Sequence, residues 1–192
     1  MKKVLLLGSF KSFPTRSKLM ALQSIITALV DAGYKIMNGN GQYLGQIVYA
    51  IILQIAKTKD ISPSDICEQF VPLQREIMEK MGVVDDQFNS LAAYHRKCMV
   101  DSSPDAFLFI EGGTNTHNEW QMASDEVSRL RWLGLPQFGG TGSQIYEFYK
   151  ARFLNDARLD LYTAIGAEES YHLQNTKEAG APIVAMLNAM TE

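Results

Sequence analysis

The chain has 192 residues, of which 46% are hydrophobic and 20% charged, the size of one domain with apolar content for a full core. A net charge of -3 and a pI near 5.7 argue against a general nucleic-acid or anionic-membrane binder, while leaving room for a small local basic pocket. Cys67 and Cys98 stand far apart and outside any CxxC pattern, which disfavours a disulfide scaffold or a zinc module.

The first apolar run, Val4 to Leu7, stops at Gly8 and is followed by the polar "KSFPTRSK". That is too short for a secretory signal, so it reads as a first strand. Leu19, Leu22, Ile25, Ile26, Leu29 and Val30 then recur at helical spacing, and Gly33 suits the left-handed position that ends the helix. "YKIMN" predicts a second strand, "GNGQYLG" a glycine-punctuated loop and "QIVYAIILQIAK" a second helix. Strand, helix, strand, loop and helix in this order are the pattern of a parallel sheet with right-handed crossovers. No segment is long enough to span a membrane, and a cytoplasmic location is the expectation.

A third strand is expected near Ile66 to Val71, a helix after Pro72, and another helix over Asn89 to Val100. "DAFLFI" is a continuous apolar run and predicts a strand buried on both faces. "EGGTNT" breaks it, and "HNEWQMASDEVSRLRWLG" restarts a helix. "LPQF" reads as a short fifth strand, "GGTG" as its turn and "SQIYEFYKARF" as the next helix. The remainder, from about residue 155 to 192, is helical by pattern with a break at "EAGAP". No repeat or linker divides the chain, so residues 1–192 form a single Rossmann-like domain: a doubly wound parallel α/β sheet flanked by helices, with a C-terminal helical extension.

Loops that follow parallel strands gather at the carboxyl edge of the sheet, where ligands bind at the reversal of strand order. Four glycine turns follow predicted strands: Gly8-Ser9, the loop from Gly39 through Asn40 and Gly41 to Gly45, the turn Gly112-Gly113-Thr114-Asn115-Thr116, and Gly139 to Gly142. Glycine lets backbone approach a ligand, and open amides at a helix start favour anions, so the set suits a nucleotide phosphate. Any strand-to-helix turn can also use glycine for packing alone, most plausibly at Gly8 and at Gly139 to Gly142. Neither GxxxxGK[ST] nor GxGxxG occurs.

Thr116 and Glu119 have the T-x-x-E spacing of a capping box. A glutamate in the first turn of such a helix also faces the crevice, where it can stabilise positive charge at a sugar carbon or activate water. Spacing does not separate these two roles. His117 has no partner at metal-ligand spacing. His95-Arg96-Lys97, upstream of the central strand, suits either an exposed basic helix face or a phosphate clamp.

Taken together, "HRKCMVDSSPDAFLFIEGGTNTHNEW" resembles the core signature of the Lonely Guy (LOG) family, which belongs to the wider SLOG superfamily of Rossmann-like nucleotide-handling domains. That signature has an Arg-Lys pair, seven residues, Asp-Ala-Phe and then PGGxGTxxE. Here Arg96-Lys97 is followed by seven residues, Asp105-Ala106-Phe107 and EGGTNTHNE ending at Glu119. "LLGS", "IMNGNGQYLGQIVYA" and "FVPLQRE" resemble further family segments, so the likeness covers about residues 3 to 150.

The resemblance implies a phosphoribohydrolase that cuts the base–ribose bond of nucleoside 5'-monophosphates without a cofactor or metal. Arg96 and Glu119 fall on the family's catalytic positions. Gly8, Ser9, Gly39, Asn40, Gly41, Lys97, Gly112, Gly113, Thr114, Asn115 and Thr116 would bind the substrate. A homodimer is implied, with the second helix and "EFYKARF" as candidate surfaces. Three departures stand out. Glu111 replaces the family proline and adds a negative charge near the presumed phosphate site, Asn115 replaces a glycine, and Asn38-Gly39-Asn40-Gly41 replaces a glycine triplet. "SLAAY" also lengthens the approach to Arg96. These departures keep open a second expectation, a SLOG-type nucleotide sensor without catalysis.

Overall fold

The computed structural model describes residues 1–39, 41, 43–70, 79–82, 84, 86, 98, 101–126, 132–152, 157–166 and 179–191. Five strands, β1 (Lys3–Ser9), β2 (Lys35–Asn38), β3 (Cys67–Gln69), β4 (Ala106–Glu111) and β5 (Trp132–Leu135), form one sheet in the order β3-β2-β1-β4-β5. Every pairing is parallel. From β1 the chain steps outward through β2 to β3, then returns to the other side of β1 for β4 and β5. Strand order therefore reverses between β1 and β4, whose register runs from Val4 opposite Ala106 to Ser9 opposite Glu111.

The two central strands are the apolar runs of the sequence. Val4 to Leu7 and Ala106 to Ile110 are each at most 2% exposed. Strands covered on both faces need no polar alternation. Asp105 fastens their amino ends: its Oδ2 accepts from the Lys3 amide at 2.7 Å, and its own amide donates to the Lys3 carbonyl at 2.8 Å.

Helix α1 (Arg16–Asp31) starts at Thr15, whose hydroxyl accepts from the Lys18 amide at 3.4 Å. Leu22, Ile25, Ile26 and Leu29 form its fully buried stripe, each contributing about 1.5–3 kcal/mol by burial. It ends as expected, with Gly33 at φ +82. Helix α2 (Leu44–Lys59) carries Lys57 and Lys59 in its last turn, favourable for the helix dipole, and closes on a left-handed Asp60. A short α3 (Pro63–Ile66) leads into β3. The expected third strand is thus present but shorter, because Ile66 belongs to α3; Val71 lies outside the described residues. So do most of the segments expected as helices after Pro72 and over Asn89 to Val100.

Two expectations on the second half need correction. Helix α4 spans Thr114–Glu126, starting three residues before His117. The fifth strand is Trp132–Leu135, whereas Pro136–Phe138 is a 3-10 turn. Proline lacks an amide for the ladder and suits a helical first position, so "PQF" leaves the sheet. "WLG" belongs to the sheet because Gly134 lies flat against the next helix: a Cβ there would sit 2.1 Å from the Gly142 carbonyl oxygen and 2.6 Å from the Tyr146 nitrogen.

Helix α5 (Gly140–Arg152) packs on β4 and β5. Beyond it, α6 (Leu159–Ile165) touches α5, and α7 (Gly180–Thr191) joins α6 to α1. The C-terminal helices are therefore part of the same body. At the α1–α7 contact a Cβ on Gly180 would meet the Ala28 side chain at 2.5 Å, and the Tyr34 hydroxyl donates to Asn188 Oδ1 at 2.8 Å.

Candidate functional site at the strand reversal

The carboxyl ends of β1 and β4 bring the glycine turns together. Gly8 stands at φ +135, and a Cβ there would lie 1.9 Å from the Ile110 carbonyl oxygen. Gly41 presses on the same turn, its missing Cβ 1.7 Å from the Gly8 carbonyl oxygen. The Gly112 amide donates to the Ser9 carbonyl at 3.0 Å. Gly39 closes the end of β2 by donating to Leu6 at 3.2 Å. Asn38, 1% exposed, donates from Nδ2 to the Gly45 carbonyl at 2.8 Å and so ties β2 to the start of α2. Gly8, Ser9, Gly39, Gly41 and Gly112 to Thr116 therefore share one edge. Asn40, Arg96 and Lys97 lie outside the described residues.

The turn after β4 feeds α4 directly. Gly112 adopts φ +80, and the His117 amide donates to the Gly113 carbonyl at 2.9 Å. Gly113 is thus the N-cap. Thr116, third in the helix and 2% exposed, packs on Gly112 and cannot cap it, so the expected Thr116–Glu119 capping box is not formed. The amides of Thr114, Asn115 and Thr116 are too early in the helix to reach an i-4 carbonyl. Among the described residues they meet no acceptor. Gly113, Thr114 and Asn115 are exposed beside them. This is a concentration of open donors with a helix dipole behind it.

Glu119 follows one helical step beyond Asn115 and Thr116 and is partly buried. Helical side chains lean toward the N-terminus, so the i, i+3 and i, i+4 relations put Glu119 on the same helix face as Thr116 and Asn115. His117 lies on a neighbouring face, its ring edge-on to Trp120 with centroids 5.2 Å apart and its Nε2 3.3 Å from Gln121 Nε2.

Glu111 has a different setting from the one its charge suggests. Its backbone is left-handed, at φ +48. Its Oε2 accepts from Lys18 Nζ at 2.5 Å and its Oε1 from the Lys11 amide at 3.3 Å. Lys18 Nζ also donates to the Phe138 carbonyl at 2.8 Å and lies over the Phe10 ring. The side chains of Lys18 and Glu111 are only 30% and 13% exposed. The expected extra negative charge is consequently paired with a lysine, and the cluster ties α1 and the loop after β1 to the end of β4 and the 3-10 turn after β5. Local spacing carried no signal for Lys18, which is 93 residues from its partner.

The fourth glycine turn is used internally. A Cβ on Gly140 would lie 2.6 Å from the Gly112 carbonyl oxygen, and one on Gly142 2.6 Å from that of Phe109. Thr141 donates from its amide to Gly112 at 3.3 Å and from its hydroxyl to Gly113 at 3.2 Å. This turn holds the Gly112–Gly113 turn from behind.

Away from this edge, α1 borders a cavity of about 400 Å³ lined by Met20, Gln23, Ser24, Thr27, Ala28 and Asp31. Its one carboxylate is paired, Asp31 Oδ1 accepting from Lys59 Nζ at 2.7 Å. Burial pushes the Cys67 thiol up to about 11, the setting of an unreactive core cysteine. Among the described residues no helix is long and apolar enough to cross a membrane. No family model matches the chain, and no curated protein matches it.

Proposed function

We propose that the protein is a nucleotide N-glycosidase that cleaves the base–ribose bond of a nucleoside 5'-monophosphate or a related nucleotide. The observation that carries this reading is the start of α4. Its open amides at Thr114 to Thr116 lie at the strand reversal, and Glu119 follows one turn further along the same helix. A 5'-phosphate on those amides would anchor the ribose close to Glu119. When the C1'–nitrogen bond breaks, its electron pair leaves with the base and positive charge builds on the sugar. A fixed carboxylate stabilises that charge and can take a proton from the incoming water. Water supplies the new C1' hydroxyl, and the base leaves protonated. By resemblance Arg96 orients Glu119 and the substrate, and Lys97 contributes to the phosphate site. No cofactor enters the reaction.

Incubation with AMP, GMP, CMP and UMP should release free base from at least one. Glu119→Gln should lower release by about 100-fold or more with unchanged circular dichroism. Absence of release from the whole panel would overturn catalysis. The second reading, a sensor that binds the nucleotide without turnover, draws on Glu111: a proline cannot adopt its φ of +48, so the turn departs from the one that the resemblance implies. It predicts thermal stabilisation by a nucleotide with no product.

The reading includes a cytoplasmic homodimer. The outer surface of α2 supports it, because no charged residue occurs from Leu44 to Ala56 and Tyr49 and Leu53 are 36% and 44% exposed. A monomer mass by light scattering would refute this part alone.

A further inference from the structure

Two non-glycine residues at the carboxyl edge of the sheet hold backbone angles that L residues avoid. Glu111 is one, and its contacts with Lys18 and Lys11 account for it. Tyr43 is the other. It precedes α2 at φ 56 and ψ -43, outside even the left-handed helical well and near a strained γ-turn geometry. A bulky aromatic is a poor choice for such a position, and glycine or asparagine would adopt it at lower cost.

Tyr43 is 40% exposed. Neither a hydrogen bond nor a ring contact ties its side chain to the described residues. Among the described residues only its carbonyl is engaged, accepting from the Ile47 amide at 3.1 Å as any residue there would. Its place in the fold is specific, however. Two residues earlier, Gly41 lies against Gly8 at the end of β1, which puts Tyr43 on the rim of the crevice between the loops after β1 and β2. Residues held in sparsely populated backbone regions cluster at active sites and ligand clamps.

We propose that Tyr43 is a substrate-binding residue whose ring stacks on the base of the bound nucleotide. This rests on the nucleotide reading of the site. The phosphate is held by backbone amides and carries no information on the base. A ring on the rim supplies base affinity with little sequence preference, because every base has a π-face.

The test compares Tyr43→Gly, Tyr43→Asn and Tyr43→Phe in the full chain, by calorimetric titration with AMP, GMP, CMP and UMP and with ribose 5-phosphate, which has no base. Tyr43→Gly and Tyr43→Asn both tolerate the backbone angle, so Tm should hold or rise. Both should weaken the nucleotides about ten-fold and leave ribose 5-phosphate unaltered, while Tyr43→Phe stays within about two-fold of the parent. Unchanged nucleotide affinity in the glycine and asparagine variants would overturn the proposal and leave the nucleotide reading standing. So would an equal loss in Tyr43→Phe, or an equal loss for ribose 5-phosphate. If the parent protein binds neither nucleotides nor ribose 5-phosphate, the nucleotide reading itself falls and this inference with it.

Discussion

The tripeptide Gly-Gly-Thr occurs twice at the carboxyl edge, at Gly112 to Thr114 and at Gly139 to Thr141, each time leading into a helix. The two copies do opposite things. In the second, Thr141 spends its amide and hydroxyl on Gly112 and Gly113, and Gly140 and Gly142 press onto neighbouring backbone. In the first, a Cβ on Gly113 would meet nothing within 4 Å, and the amides that follow have no acceptor among the described residues. The same residues thus make a packing joint in one place and an open donor site in the other. What separates them is whether backbone already occupies the space in front of the turn.

The largest expected effect comes from the joint. Gly142→Ala would force a Cβ to 2.6 Å from the Phe109 carbonyl oxygen and 3.2 Å from that of Leu135. Neither can move without distorting the sheet, so stability should fall by about 3 kcal/mol in denaturant titration. Gly113→Ala should cost less than about 1 kcal/mol, the price of a poorer N-cap. Equal losses in the two variants would break the contrast, because the first turn would then also be a packing element.

Next in size is the clamp behind the open turn. Among the described residues, Lys18→Met leaves the Glu111 carboxylate with only the Lys11 amide. A loss of about 1–2 kcal/mol is expected, discounted for the water that reaches Lys18. A double-mutant cycle with Glu111→Gln should show coupling of similar size. Additive losses would mean that the pair is incidental and that Glu111 adopts its angle for another reason. Thr141→Val removes one hydroxyl bond to Gly113 and should cost about 1 kcal/mol. Nucleotide-induced stabilisation should persist in it, since the joint touches no ligand; its loss would merge the two turns into one site.

The comparison also shows what the sequence could and could not reveal. β1 and β4 were legible because a buried parallel strand is an unbroken apolar run, and α1 because its apolar spacing and terminal glycine agree. β5 was not, since Trp132 and Leu133 continue the helical spacing of the preceding residues and only Gly134, flat against Gly142, requires a strand there. The open turn was recognisable as a glycine-rich helix start, but its cap was misplaced by three residues: Thr116 carries a capping residue type, whereas the chain turns at Gly113. Lys18 and the strain at Tyr43 and Glu111 were invisible. A contact across 93 residues and a backbone angle are both consequences of the fold, with no local pattern to announce them.

The smallest effect tests the one side chain in the open turn that departs from the glycine of the resemblance. Asn115 is second in α4, exposed, and helical, so its backbone asks for no glycine. Asn115→Gly keeps the amide and removes only the carboxamide. Stability should fall by less than about 0.5 kcal/mol, because an exposed first-turn position tolerates glycine better than a helix interior. If backbone amides alone hold the phosphate, nucleotide-induced Tm shifts and base release should match those of the parent protein. Base release that rises several-fold in Asn115→Gly would show instead that the carboxamide stands in the way of the reaction. The open turn would then be a binding site in which catalysis is held back by a side chain, while the donors behind it remain intact.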